Sequence, residues 1–168
     1  RSHIREKHKI RHCHLKEIDY SQELILKLIA ISRIRMADFF KELSKKYMDF
    51  IEEQPIFFVA TAPKSGRINL SPKGLDCLKI LNPNKVAYVN LAGSGNETSA
   101  HLLEDNRMTI MFCSFTRTTT VLRLYGSARE IIPQDPEFEE LIKVFPDFVA
   151  IRQIYILDVD TVQKSCGY

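Results

Sequence analysis

The 168-residue sequence predicts a mainly β domain, an antiparallel barrel with a few helices at its ends. Three observations carry this. Segments of strand length, rich in β-branched and aromatic residues, follow one another through short turns. They do not alternate with helical segments, so a doubly wound parallel sheet is not expected. Hydrophobic residues make up 45% of the chain, enough for a real core in a length that suits one domain.

The elements follow in order. Residues 37–53 read as a helix, because Phe39, Phe40, Leu43, Tyr47, Phe50 and Ile51 recur at three- and four-residue spacing. Asp38 falls in its first turn and Gln54-Pro55 closes it. Residues 56–61 are a continuous apolar run of strand length, and Pro63-Lys64-Ser65-Gly66 is a turn. Residues 67–71 alternate: Arg67, Asn69 and Ser71 point one way, Ile68 and Leu70 the other. Segments 76–81, 85–91 and 108–113 are further strands, the first ended by Asn82-Pro83-Asn84. Residues 121–132 form a strand long enough to curve around a barrel, with Gly126 marking a bulge or bend. Asp135-Pro136-Glu137 opens a helix that places Phe138, Leu141, Ile142 and Phe145 inside, and 153–162 is the last strand.

The net charge of +3 is an average over two unlike parts. Residues 1–35 hold nine basic against four acidic groups, a balance of +5, while residues 36–168 hold 15 against 17, a balance of −2. The first methionine is Met36, and the helical pattern of the body starts there. Residues 1–35 are therefore read as a basic N-terminal arm, a leader or added expression sequence, with a genuine helical arm (21–31) as the rival. His8, His12, Cys13 and His14 lack a second ligand pair at zinc-finger spacing, so no metal site is expected. Basic residues in the arm are not interleaved with aromatics, which argues against nucleic acid. The longest apolar stretch, 24–31, is broken by Lys27 and falls short of the roughly 20 residues that cross a bilayer. Cys13, Cys77, Cys113 and Cys166 form no Cys-x-x-Cys pair. Cys77 and Cys113 sit in apolar strand contexts and are expected to be buried and reduced, which suits the cytoplasm.

One stretch carries chemistry. The strand at 85–91 runs into Gly93-Ser94-Gly95-Asn96, which opens a short helix bearing Thr98, Ser99 and His101. Asn96 is a natural N-cap, and the first N–H groups of a helix carry partial positive charge without an internal partner, so a phosphate fits there. The same turn also serves as a capped connection with no ligand. Thr98 replaces the third glycine of a dinucleotide fingerprint, and no Lys-Ser or Lys-Thr pair of a Walker loop follows. Arg67, Asn69, Ser71 and Lys73 add cations and hydrogen-bonding groups suited to an anionic ligand, or simply to an exposed strand face. Arg123, between Leu122 and Leu124, needs a partner of its own. His101 reads as a packed or capping group.

Together, Arg67-Ile-Asn-Leu-Ser-Pro-Lys73-Gly, Tyr88-Val-Asn-Leu-Ala-Gly-Ser-Gly-Asn-Glu-Thr-Ser-Ala-His101, Asn106-Arg107-Met-Thr-Ile-Met-Phe and Leu122-Arg-Leu-Tyr-Gly126 resemble the pyridoxamine 5′-phosphate oxidase-related, FMN-binding split-barrel family. The closing Ser165-Cys-Gly-Tyr168 is similar to the tail of one uncharacterised branch, where it continues through a Val-Pro pair. The resemblance spans residues 36–168. It implies a six-stranded antiparallel split β-barrel of Greek-key type with peripheral helices, dimerised with itself so that FMN lies in clefts at the subunit interface. By position it assigns Arg67, Asn69, Ser71 and Lys73 to the flavin and its phosphate. Tyr88 and Asn90 fall along the isoalloxazine–ribityl path, and Ser94, Gly95, Asn96 and Thr98 cradle the phosphate. Arg123 comes from near the cleft or from the partner subunit. Authentic oxidases carry a Ser-Arg-Lys run after this strand and a Trp-containing signature with a late Arg-x-His pair. This sequence has a longer glycine turn, no Trp and no His after His101. The expectation is an FMN-dependent oxidoreductase acting on an unknown small molecule and not on pyridoxamine 5′-phosphate. The alternative is a non-catalytic flavin- or haem-binding dimer.

Overall fold

A computed structural model describes residues 37–93, 95–116 and 119–166. The basic arm with its expected helix and histidine group, Ser94 and the last two residues of the tail motif lie outside the described residues. The chain runs β1 (Ala37–Phe40), α1 (Lys45–Glu52), β2 (Ile56–Thr61), β3 (Asn69–Gly74), β4 (Leu78–Asn82), β5 (Lys85–Leu91) and α2 (Glu97–Glu104). Then come β6 (Arg107–Cys113), β7 (Thr120–Ile131), α3 (Phe138–Leu141) with a 3-10 turn at Ile142–Val144, and β8 (Ile151–Cys166).

The strands form one antiparallel sheet in the order β3-β2-β6-β7-β8-β5-β4, with β1 added to β8. Its two end strands, β3 and β4, are consecutive in sequence and joined by the short Leu75–Cys77 turn, so the curled sheet meets itself at that corner without a closing ladder. The pairings β2–β6 and β5–β8 bring together strands distant in sequence, as a Greek-key barrel requires. Inside lie Phe57, Val59, Val86, Tyr88, Ile110, Phe112, Leu122, Leu124, Ile154 and Leu157, all 4% exposed or less.

Eight strands are described, against the six implied by the family resemblance. The eighth comes from the segment read as the start of a helix. Ala37–Phe40 is extended and pairs with the end of β8, Phe40 opposite Val162 and Ala37 opposite Ser165. β5 covers that edge of β8 only as far as Asp158, so the edge beyond is open to a passing β-forming segment. The expected periodicity holds from Leu43 onward: Leu43 and Ile51 are buried, while Phe39 is 64% exposed. Phe40 stacks on Tyr47 of α1 at 5.3 Å between ring centroids. The helix begins only after Ser44.

Gly126 sits at a register shift between Tyr125 and Gly126 where β7 meets β8. A side chain there would overlap the carbonyl oxygen of Asp158, so the expected bulge needs glycine. Cys77 is buried, whereas Cys113 is only partly so. The expected helix after Pro136 is one α-turn plus a 3-10 turn, with Phe138 and Phe145 buried.

Candidate functional site

Directly opposed residues of an antiparallel pair share a face. Lys73 opposes Phe57, Ser71 opposes Val59 and Asn69 opposes Thr61. Phe57, Val59 and Thr61 are buried, so Asn69, Ser71 and Lys73 project from the inner face, at the end of the sheet where β5 turns into α2. Ile68 and Leu70 point the other way and are 75% and 63% exposed. The alternation read from the sequence is thus the device that lines the site.

These three residues, with Asn90, Leu91, Gly93, Gly95, Asn96, Glu97 and Thr98, enclose a cleft of about 330 Å³. That lies in the range of roughly 300–1,000 Å³ for small-molecule sites. Arg67, exposed and ahead of β3, adjoins it in a second groove shared with Asn69, Glu97 and His101. Lys73 and Arg67 supply two positive charges, and Glu97 supplies one negative.

The floor is a connected polar network. Lys73 Nζ donates to Asn90 Oδ1 at 3.4 Å, and Asn90 Nδ2 donates to Asn96 Oδ1 at 3.4 Å. Gln153 Nε2 donates to the same Asn96 Oδ1 at 2.6 Å and to the Tyr155 hydroxyl at 2.6 Å, and that hydroxyl reaches Asn96 Oδ1 at 3.3 Å. Asn69 Nδ2 donates to Thr98 Oγ1 at 3.2 Å. Arg152 holds the glycine turn from outside, donating to the carbonyls of Gly93 at 2.7 Å and Gly95 at 3.1 Å. Ser99 donates to Glu130 at 2.9 Å, and Thr61 bonds His101 Nδ1 at 3.0 Å, which ties α2 down on the barrel.

Asn96 is the residue before α2, but its side chain makes no cap. The N–H groups of the first turn have no acceptor within the helix, and its first residues, Glu97 and Thr98, line the same cleft as Lys73 and Asn69. Tyr88 of β5 is 1% exposed, meeting the Phe57 ring edge-on and the Tyr155 ring at a tilt. Its hydroxyl is buried without a hydrogen-bond partner of good geometry, and it lies beside Thr98. Burial, then the neighbouring Tyr155, raises the Tyr88 pKa well above its usual value. Burial likewise pushes Tyr155 up to about 12.

Of the residues proposed from the sequence, Asn69, Ser71, Lys73, Asn90, Gly95, Asn96 and Thr98 come together in the cleft, with Arg67 at its margin. Ser94 lies outside the described residues. Tyr88 is under the floor and does not line the cleft. Arg123 is elsewhere in the chain. It opposes Met111 and Gln163 on the outer face and donates to Ser165 at 3.2 Å, because its neighbours Leu122 and Leu124 take the core. Sequence reading missed Arg152, Gln153 and Tyr155. Their one signal was a pair of polar residues, Arg152-Gln153, directly ahead of the apolar run at 154–157.

Fold and cleft together define a curled antiparallel barrel protein with a polar cleft at one end of its sheet. The family model described as pyridoxamine 5′-phosphate oxidase matches residues 43–160, and the chain belongs to that family. A pyridoxamine 5′-phosphate oxidase family protein of Aspergillus flavus, ustO, is 44% identical over 138 residues, covering 79% of this chain and 55% of its own length. The chain thus spans about half the length of that relative. Among solved structures, a putative pyridoxamine 5′-phosphate oxidase from Lactobacillus delbrueckii aligns with a TM-score of 0.60 at 14% identity, over 73% of this chain and 94% of that one. HupZ of Group A Streptococcus gives 0.58 at 16% identity, over 71% and 91%. The FAD binding protein of Mycobacterium smegmatis gives 0.52 at 11% identity, over 76% and 99%. At these identities the shared property is the fold.

Proposed function

We propose that the cleft holds the phosphate end of FMN, and that the protein is a flavin-dependent oxidoreductase acting on a small molecule. The observation that carries this is the convergence on one cleft of an uncapped helix N-terminus, Lys73, and the Asn69 and Thr98 side chains. Such a set suits a phosphate, and the buried, unpartnered Tyr88 hydroxyl beside Thr98 is a further polar group under the same spot. The family membership and the flavin named for the mycobacterial neighbour agree with this reading. In it, Lys73 and Arg67 neutralise the phosphate, the first N–H groups of α2 donate to it, and Asn69 and Ser71 orient the chain that leads away from it. When bound, a flavin supplies the redox chemistry, and the protein binds and positions it.

Among the described lining residues, Lys73 and Glu97 are the titratable groups, without an imidazole or thiol. That favours a second reading, a non-catalytic flavin-binding dimer. A haem-binding form fits less well, since no His, Cys or Met is among the described lining residues.

The reading includes a cytoplasmic homodimer. Opposed residues put Phe39, Arg123, Met111 and Phe58 in one row across the outer face, with Ile68 and Leu70 exposed beside it. A second copy covering this face would bury it and bring Arg123 to the partner's cleft.

Titration of ligand-free protein with FMN, followed by flavin absorbance and fluorescence, tests the proposal. Lys73→Ala and Thr98→Ala should each weaken binding by about 1–3 kcal/mol, the range of a lost charge-assisted contact. Affinity unchanged from that of the unsubstituted protein in both variants would reject the assignment. Bleaching by a nicotinamide donor, followed by reoxidation with substrate, would favour the enzyme over the carrier.

A further inference from the structure

Asn96 occupies the position where an asparagine normally caps a helix, yet its side chain turns away. The reason is readable donor by donor. The Lys73 ammonium can only donate, so Asn90 must show it Oδ1 and turn Nδ2 onward. Asn96 must then present Oδ1 to Asn90, and Gln153 must present Nε2. Three donors thus converge on the one oxygen of Asn96 that could have capped α2. Gln153 is 1% exposed, and Tyr155 is equally buried, so this side of the network is fixed in the core. Arg152, next to Gln153 on β8, pins the carbonyls of Gly93 and Gly95 outward.

We infer that Gln153 of β8 is a positioning residue: by engaging Asn96 Oδ1 it withholds the native cap from α2 and keeps the helix N-terminus open for the anion. The inference rests on the phosphate reading above, and deepens it by naming what keeps that site free. A helix whose own asparagine caps it competes with any ligand for the same N–H groups. Removal of Gln153 should therefore weaken the ligand only when Asn96 is present to take the vacant role.

The test is a double-mutant cycle on binding of inorganic phosphate and FMN, by calorimetry and by flavin fluorescence. Gln153→Leu should weaken binding roughly fivefold, the scale of a competing N-cap. In an Asn96→Ala background the same Gln153→Leu change should leave affinity unaltered. The melting temperature of ligand-free Gln153→Leu should fall less than loss of a buried hydrogen-bonding group alone implies, because the released cap stabilises α2. An equal loss of affinity in both backgrounds would mean that Gln153 is merely structural, and would overturn the inference. Unchanged affinity in Gln153→Leu alone would also overturn it. Should Gln153→Leu fail to fold, Tyr155→Phe removes one of the three donors and carries the same cycle with a smaller expected effect. If the unsubstituted protein binds neither phosphate nor FMN, the phosphate reading itself fails, which is a different result from failure of the cycle.

Discussion

A lysine that can only donate fixes the orientation of two asparagines and a glutamine, and through them the polarity of the whole cleft. Asn90 and Gln153 of this network are buried, Lys73 is half-buried and Asn96 is exposed at the cleft. Tyr155, raised to about 12, and Cys77, raised from 9.0 to about 11 by burial, both hold their protons more tightly when folded. The folded state is therefore favoured by protonation of these groups. Their contribution is complete below their ordinary values and is lost as pH rises through the raised ones. Stability to urea should be flat up to about pH 9 and then decline, by up to about 1.4 kcal/mol per pH unit for each group. Cys77→Ala should remove the first part of the decline, and Tyr155→Phe should lessen the later part, which the equally buried Tyr88 shares. A flat profile to pH 11 in the unsubstituted protein would contradict this account. At the residue scale much of the site was legible. Gly93, Gly95, Asn96 and Thr98 announce a strand-to-helix turn beside a cleft, and the alternation of Arg67, Asn69 and Ser71 announces a face that the structure continues through Lys73. Gln153 and Tyr155 were not legible, because they reach Asn96 across 57 and 59 residues of sequence and no local pattern records that.

Elements were legible where periodicity and burial agree. β2, β5 and β6 lie where continuous apolar runs placed them. The segment at 37–53 was not resolved correctly, since Phe39 and Phe40 fit a helical face by spacing and a strand by residue type. Tertiary pairing decided between them: the open edge of β8 takes up Ala37–Phe40, and helix geometry starts only at Lys45. Gly126 shows the opposite case, a single residue that foretold an element's shape. Gly126→Ala would drive a methyl group into the Asp158 carbonyl on the neighbouring strand, so an equilibrium loss of at least about 3 kcal/mol is expected by urea unfolding. A loss below about 1 kcal/mol, the helix-type propensity scale for such a change, would show that the strand pair can simply shift.

The whole molecule joins a barrel core to a site built at one end of its sheet. β8 links them: it pairs with β7, β5 and β1, and it also carries Arg152, Gln153 and Tyr155 to the cleft. In the proposed dimer the outer face, with Ile68 and Leu70 exposed, is the surface that a second copy covers. Light scattering should give twice the chain mass, and Ile68→Lys with Leu70→Lys should shift it toward one chain and weaken FMN in parallel. A monomer that still binds FMN tightly would refute the shared-cleft picture. The central claim is that the open N-terminus of α2 receives a phosphate. Its most direct test is the amide spectrum of ¹⁵N-labelled protein during addition of inorganic phosphate and then of FMN. The account predicts downfield shifts of the Glu97, Thr98 and Ser99 amides with both ligands, and their loss in Lys73→Ala. Shifts confined to other parts of the chain, or none at all, would contradict it.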